Sequence, residues 1–245
     1  MVCALFQNSS LILSAYAKAG RRDTFTLKEY EKLTRFMRSW TNRKANDDEQ
    51  IRLGKLLIRD FILILSNTFM RVGEAKQLKW KDVVSMDYLD ADTSEYKTPL
   101  VYLKVRAETS KNRKSRDVIS RGGTYFQRLK GRVEHISPED YVFSKIDTQE
   151  MFSTRKLYSY WHQLMEAIDI DYKERNITYY SLRHFGITMR LSAGVSIWDV
   201  SKMAGTGVAF IESHYGHATH ELLVNGAVKQ MDVGNNHDFG MLVKK

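Results

Sequence analysis

Apolar residues recur at helical spacing along most of this chain and alternate in only one place. Thr24-Phe-Thr-Leu-Lys-Glu-Tyr-Glu31 predicts a helix start. Thr26 can cap it, and Glu29 three positions later completes a capping box. Leu33, Phe36 and Met37 follow at helical period, and the polar stretch 41–50 predicts a loop. Residues 51–65 are apolar at helical period, densest at Phe61-Ile-Leu-Ile-Leu65, and predict a buried helix. Residues 72–78 predict a short one. Leu100-Val-Tyr-Leu-Lys-Val-Arg106 alternates and is rich in β-formers, so it predicts a strand. Residues 117–120 predict a second strand, with the Lys/Arg/Asn tract between the two as a basic hairpin turn. Helices are predicted over 152–168, over 181–192 with a stop at Gly194, over 196–203, and from Val208 after a Gly-Thr-Gly turn. The fold class is mainly α with a small antiparallel β-sheet (α+β), without internal repeats.

Composition narrows the function. Hydrophobic residues make up 43% of the 245, enough to bury a core. No apolar run approaches the roughly 18 residues of a membrane span. Residues 1–16 lack the basic and apolar regions of a secretory signal. The single cysteine, Cys3, excludes an intramolecular disulfide and a Cys-rich zinc module and fits a reducing compartment. The formal charge of +9 suggests a polyanionic partner. Nearly all of that surplus lies between Leu100 and Arg132. Lys104, Arg106, Lys111, Arg113, Lys114, Arg116, Arg121, Arg128, Lys130 and Arg132 face only Glu108 and Asp117 there. Such a tract is either a solvated basic face or a set of phosphate contacts.

Metal and cofactor chemistry find little footing. His214, His217 and His220 recur at i+3, but no HExxH pattern accompanies them. Neither a Walker loop nor GxGxxG is present, nor a clustered acidic pair of the kind that holds Mg²⁺. The reading is therefore no metal and no cofactor.

Four segments carry more in combination. They are Thr68-Phe-Met-Arg-Val-Gly-Glu-Ala-Lys76, the basic Thr109-Ser-Lys-Asn-Arg-Lys-Ser-Arg-Asp117, Ile177-Thr-Tyr-Tyr-Ser-Leu-Arg-His184, and Met203-Ala-Gly-Thr-Gly through Tyr215-Gly-His217. In this order they resemble the catalytic domain of the tyrosine recombinases, the phage integrase family, over about residues 24–225. The resemblance implies that domain's fold. It also implies a site-specific recombinase or integrase that cleaves and rejoins DNA through a 3′-phosphotyrosyl intermediate, without metal or ATP. Arg71 matches the first catalytic arginine and Glu74 its structural acidic neighbour. Lys111 matches the hairpin lysine, Arg183 the second arginine, and Tyr215 the nucleophile. Tyr180 stands where the family's His-x-x-Arg box has His, and Thr206 where its Leu-Gly-His/Trp motif has His or Trp. His184 matches a frequent, orienting neighbour of the second arginine. Lys104, Arg106, Arg113, Lys114 and Arg116 are the expected DNA contacts.

The resemblance further implies double-stranded DNA and other recombinase protomers in a DNA synapse as partners, with no membrane. It implies a cytoplasmic or nucleoid-associated setting, or host cytoplasm for a virus or mobile element. Residues 1–22 then read as a leader or the remnant of an upstream segment, 23–225 as the catalytic domain, and 226–245 as a C-terminal tail.

The chemistry suits the residue types. Two guanidiniums can replace a metal's charge by binding non-bridging oxygens bidentately. A lysine can protonate the leaving 5′ oxygen, and Lys114 competes with Lys111 for that role. A tyrosine can hold the phosphate covalently. Two other readings remain open. Residues 195–212 also resemble a helix-turn-helix, which would make the chain a non-catalytic DNA-binding protein with a structural Tyr215. Tyr180 and Thr206 could instead mark a degenerate recombinase that binds DNA without cutting.

Overall fold

A computed structural model describes residues 23–45, 48–88, 99–144 and 150–215. The leader at 1–22, the tail at 226–245, and His217, His220 and His237 lie outside the described residues.

The first helix among the described residues, α1 (Leu27–Trp40), starts where its cap predicts. The Thr26 hydroxyl accepts from the Glu29 amide at 3.1 Å, and the Glu29 carboxylate accepts from the Thr26 amide at 2.7 Å. The long apolar run forms α2 (Glu49–Thr68), capped by Asp48. It ends on Phe69, a non-glycine residue in the left-handed region at φ 56°. A short α3 (Val72–Lys76) follows.

Among the described residues the sheet has three antiparallel strands in the order β1 (Val83–Tyr88), β2 (Leu100–Val105), β3 (Arg116–Arg121). Two were expected. The extra strand, β1, has no clean alternation, and its pairing with β2 shifts register between Val83 and Ser85 and again before Tyr88. The β2–β3 pairing is regular, with Leu103 opposite Val118 and Lys104 opposite Asp117. The basic tract between them is longer than a hairpin turn. Residues 106–115 include a 3₁₀ turn at Ala107–Thr109 and a left-handed Arg113 at φ 50°.

An unanticipated helix, α4 (Gly123–Lys130), comes next. Its N-cap is Gly122, which provides no side-chain cap, so the usual start signal is missing from the sequence. After α5 (Thr154–Ala167), α6 (Tyr179–Ser192) begins two residues earlier than expected. Thr178 caps it, and the Ser181 hydroxyl accepts in return from the Thr178 amide. The helix stops as predicted, with Gly194 at φ 81°. Then come α7 (Ile197–Ala204), capped by a left-handed Gly205, and α8, helical over the described residues 208–215.

The central helix α2 packs against α4, α5, α6 and β3. Around it lies the main core, with Phe61, Phe126, Phe143, Trp161 and Tyr179 among its largest buried side chains. A second, smaller core joins the end of α2 to the last helices through Phe69, Ile187, Leu191, Val200, Ala204, Ile211 and Tyr215. Among the described residues no helix is long and apolar enough to cross a membrane.

Close approach of α6 to α2 fixes what lies beyond it. At Gly186 a β-carbon would overlap the Ser66 carbonyl oxygen and the Phe69 ring. Backbone cannot give way as a flexible side chain can, so the helix pair depends on this glycine. Gly186→Ala is expected to lower stability by about 1–3 kcal/mol, read as a fall in melting temperature. An unchanged melting temperature would mean the helices can separate without cost.

Candidate functional site

The site gathers where three helix ends, the C-terminus of α2, the N-terminus of α3 and the C-terminus of α7, meet the face of α6. Arg183, on α6, is buried with 3% exposure. Its guanidinium donates to the carbonyl of Phe69, the cap of α2, and at 2.8 Å to the carbonyl of Ala204, the last residue of α7. Helix ends offer such carbonyls because their last turn has no partner amides, and the helix dipole makes them partly negative. Burial pulls the Arg183 pKa down to about 10, with repulsion from Arg71 and Arg116 adding to it and Tyr180 and Glu74 opposing it. That is still well above neutrality, so the group stays cationic.

Arg71 caps α3 and reaches the same turn from the other side. It donates to the Gly205 carbonyl at 3.4 Å and to Glu74 Oε1 at 2.9 Å. Segments more than 100 residues apart in sequence therefore bring two guanidiniums to consecutive carbonyls, those of Ala204 and Gly205.

Glu74 is the anion that makes this arrangement tenable. It is buried, accepts from the Arg71 amide at 2.9 Å, and takes a two-pronged bond from Arg116 at 3.0 and 2.7 Å. Burial pushes its carboxyl upward, but the bonds and charge of Arg116, then Arg71, hold it below its ordinary value. Gly205 leaves room for this packing, since a β-carbon there would press on the Arg116 side chain.

Tyr215 is the last described residue of α8 and is 2% exposed. Its phenol oxygen lies 2.5 Å from Nδ1 of His184, the residue after Arg183. Tyr180, one turn earlier on α6, sets its ring edge-on against His184 with centroids 4.8 Å apart. Thr206 follows the turn, and its amide donates to the Ser201 carbonyl at 3.1 Å.

An open groove of about 520 Å³ runs beside this cluster, between the 106–115 loop and the end of α7 with the turn that follows it. Lys114, Arg116, Lys202, Gly205 and Thr206 line it. Lys111 and Arg113 are exposed on the same loop, and Lys104 is exposed on β2. Arg106 turns inward, donating to Asp82, Glu108 and the Gln77 carbonyl. The structure thus brings Arg71, Glu74, Arg183, His184, Tyr215, Tyr180 and Thr206 into one region. Arg106 and Arg116, expected as DNA contacts, direct their guanidiniums to protein partners. The Glu74–Arg116 pair was missed, because nothing in the spacing of residues 42 apart signals it. Among the described residues no group of three or more His, Cys, Asp or Glu could hold a metal ion.

The family described as "Phage integrase family" matches residues 23–221. Among solved structures the chain is similar to the XerH site-specific recombinase bound to palindromic difH substrate in a post-cleavage complex. That match has 17% identity and a TM-score of 0.58, over 84% of this chain and 52% of that one. It is also similar to the XerA recombinase, with 19% identity and a TM-score of 0.57, over 87% and 66%. A third is the Tn1549 transposon integrase in complex with circular intermediate DNA, with 15% identity and a TM-score of 0.54, over 86% and 66%. The chain spans about half to two thirds of those chains. None of the curated proteins compared matches it.

Glu74→Gln removes the charge that Arg71 and Arg116 share. It is expected to lower stability at neutral pH by about 3 kcal/mol or more. Because the folded-state pKa is depressed, the ionised carboxylate stabilises fully above its ordinary value of 4.5, and that gain is lost as pH falls through the lowered value. Denaturant titrations at neutral and acid pH should show the gap between the two proteins narrowing on acidification. A gap that stays constant would mean the carboxylate charge is not what holds the arginines.

Proposed function

The chain belongs to the phage integrase family, and from that premise we propose that it is a site-specific DNA recombinase that forms a 3′-phosphotyrosyl intermediate through Tyr215 without metal or ATP. The observation that carries this reading is the convergence of Arg71 and Arg183 on the turn leading into the Tyr215 helix. A scissile phosphate at that turn would meet two forked cations that remain charged at any working pH. In that position they would stabilise the charge that grows on the non-bridging oxygens in the transition state. Glu74 and Arg116 act as the frame that holds Arg71 in place.

The reaction then divides among the remaining groups. The Tyr215 phenol attacks phosphorus, and the tyrosyl ester keeps the phosphodiester energy for rejoining. The leaving 5′ oxygen takes a proton from a lysine of the 106–115 loop. Lys111 takes that role in this reading, by its match to the hairpin lysine of the resemblance, while Lys114 faces the groove. Lys104 and Arg113, both exposed, contribute phosphate contacts of the counterion-releasing kind. Double-stranded DNA is the substrate, and further protomers of the recombinase are the partners in the synapse.

Burial of Tyr215 favours a second reading, in which the chain binds DNA through α7, the turn and α8 without cutting it. A covalent adduct distinguishes the two. Incubated with a pool of nicked duplexes of randomised sequence, the unaltered chain should yield adducts that survive denaturation. Tyr215→Phe should yield none while binding DNA within a few-fold. Adducts that persist in Tyr215→Phe would move the nucleophile elsewhere, and Tyr180 would be examined next.

The proton donor has its own test. A 5′-bridging phosphorothioate supplies a thiolate leaving group that departs without protonation. Lys111→Ala should cleave normal DNA slowly and recover on the sulfur substrate, whereas Lys114→Ala should bind more weakly and show no recovery. Recovery of Lys114→Ala alone would transfer the role to Lys114.

A further inference from the structure

We propose that His184 is the base that accepts the Tyr215 proton, an assignment that rests on Tyr215 being the nucleophile. A phenol of pKa near 10 is only about one part in a thousand ionised at pH 7, so attack on a phosphodiester needs an acceptor within hydrogen-bond reach. His184 Nδ1 is 2.5 Å from the phenol oxygen, with the two rings 5.7 Å apart between centroids.

Among the described residues, the other groups gathered at the site are poor bases near neutrality. Tyr180 brings a second phenol, Thr206 a hydroxyl, and Arg71 and Arg183 are donors only. Imidazole is the side chain whose ordinary titration lies near neutrality. For the phenol to donate, Nδ1 must be bare, so the neutral ring carries its hydrogen on Nε2.

Placement on α6 matters as much as distance. His184 sits next to Arg183 on a helix seated against α2 through Gly186. A base there is held on the same helix as the buried arginine, with the phenol of α8 already within hydrogen-bond reach.

The step balances. As the Tyr215 oxygen bonds to phosphorus, its proton passes to His184 Nδ1 and the ring becomes imidazolium. The bond to the 5′ oxygen breaks, and that oxygen takes its proton from the loop lysine. On rejoining, the 5′ hydroxyl returns its proton to the loop lysine as its oxygen bonds to phosphorus, and the departing phenolate recovers its proton from His184. Tyr180, packed edge-on against the imidazole, orients the ring.

The test uses His184→Asn, whose side chain can still accept a hydrogen bond at the Nδ1 position but cannot take a proton. Adduct formation is measured on the pool of nicked duplexes, with Tyr215 either natural or replaced site-specifically by 3,5-difluorotyrosine, a phenol that ionises more readily. His184→Asn should slow adduct formation by roughly 10²–10⁴, the usual worth of a general base, with DNA affinity within a few-fold. Difluorotyrosine should recover most of that loss in His184→Asn and change the unaltered protein little. A rate for His184→Asn near that of the unaltered chain would remove His184 from the chemistry while leaving Tyr215 as nucleophile. A slow rate that difluorotyrosine does not relieve would reduce His184 to holding Tyr215 in place. Absence of any adduct from the unaltered chain would overturn the nucleophile and the base together.

Discussion

A buried guanidinium must be surrounded by acceptors, and this requirement organises the far end of the molecule. Arg183 meets it with the carbonyls that end α2 and α7, groups that a helix leaves unpaired. The bond to Phe69 accompanies that residue's left-handed backbone, and the bond to Ala204 leads directly into the left-handed Gly205. One side chain thereby sets the relation of α6 to both helices, and with it the position of the turn before α8. A second cation, Arg71, reaches the next carbonyl only because Glu74 offsets it, with Arg116 completing the pair from β3. Like charges gathered at one point would otherwise repel, and after burial the repulsion from Arg71 and Arg116 adds to the lowering of the Arg183 pKa.

The same arrangement explains why the loop and the turn belong to one surface. Arg116 ties the start of β3 to Glu74, so the 106–115 loop is anchored beside Gly205 rather than hanging free of it. Lys114 of that loop then lines the groove beside Gly205, and Lys111 is exposed on the same loop. The small second core, which includes Tyr215, closes over the other side. Family membership gives this geometry its functional meaning, and the clamp, the loop lysines and the His184–Tyr215 pair are proposals built on it.

Much of the fold was legible because local signals carried it. Thr26 with Glu29, Gly194 and the apolar run of 51–65 each announce an element through nearby residues. What failed to show had no local signal. The strand β1 lacks alternation and is irregularly paired, and α4 starts on glycines with no capping side chain. The site divides in the same way. Arg71, Arg183, Lys111 and Tyr215 could be placed on motifs by order and spacing. The Glu74–Arg116 pair and the contact between His184 and Tyr215 arise from tertiary packing of segments 42 and 31 residues apart, where no periodicity links them. Formal charge alone also does not tell which guanidiniums bond within the protein, since Arg106 and Arg116 look identical to Arg113 in sequence yet pair with Asp82 and Glu74.

The central claim is that Arg71 and Arg183 grip one phosphate through their forks and not merely through charge. The most direct measurement is the rate of covalent adduct formation at saturating DNA for Arg71→Lys and Arg183→Lys, in preparations whose melting temperatures stay close to that of the unaltered protein. Lysine keeps the positive charge and loses the bidentate geometry. Each change should slow adduct formation by roughly 10²–10³ while DNA affinity moves only a few-fold. Rates that hold, or rates and affinities that fall in step, would contradict the account, since the two arginines would then only hold the backbone.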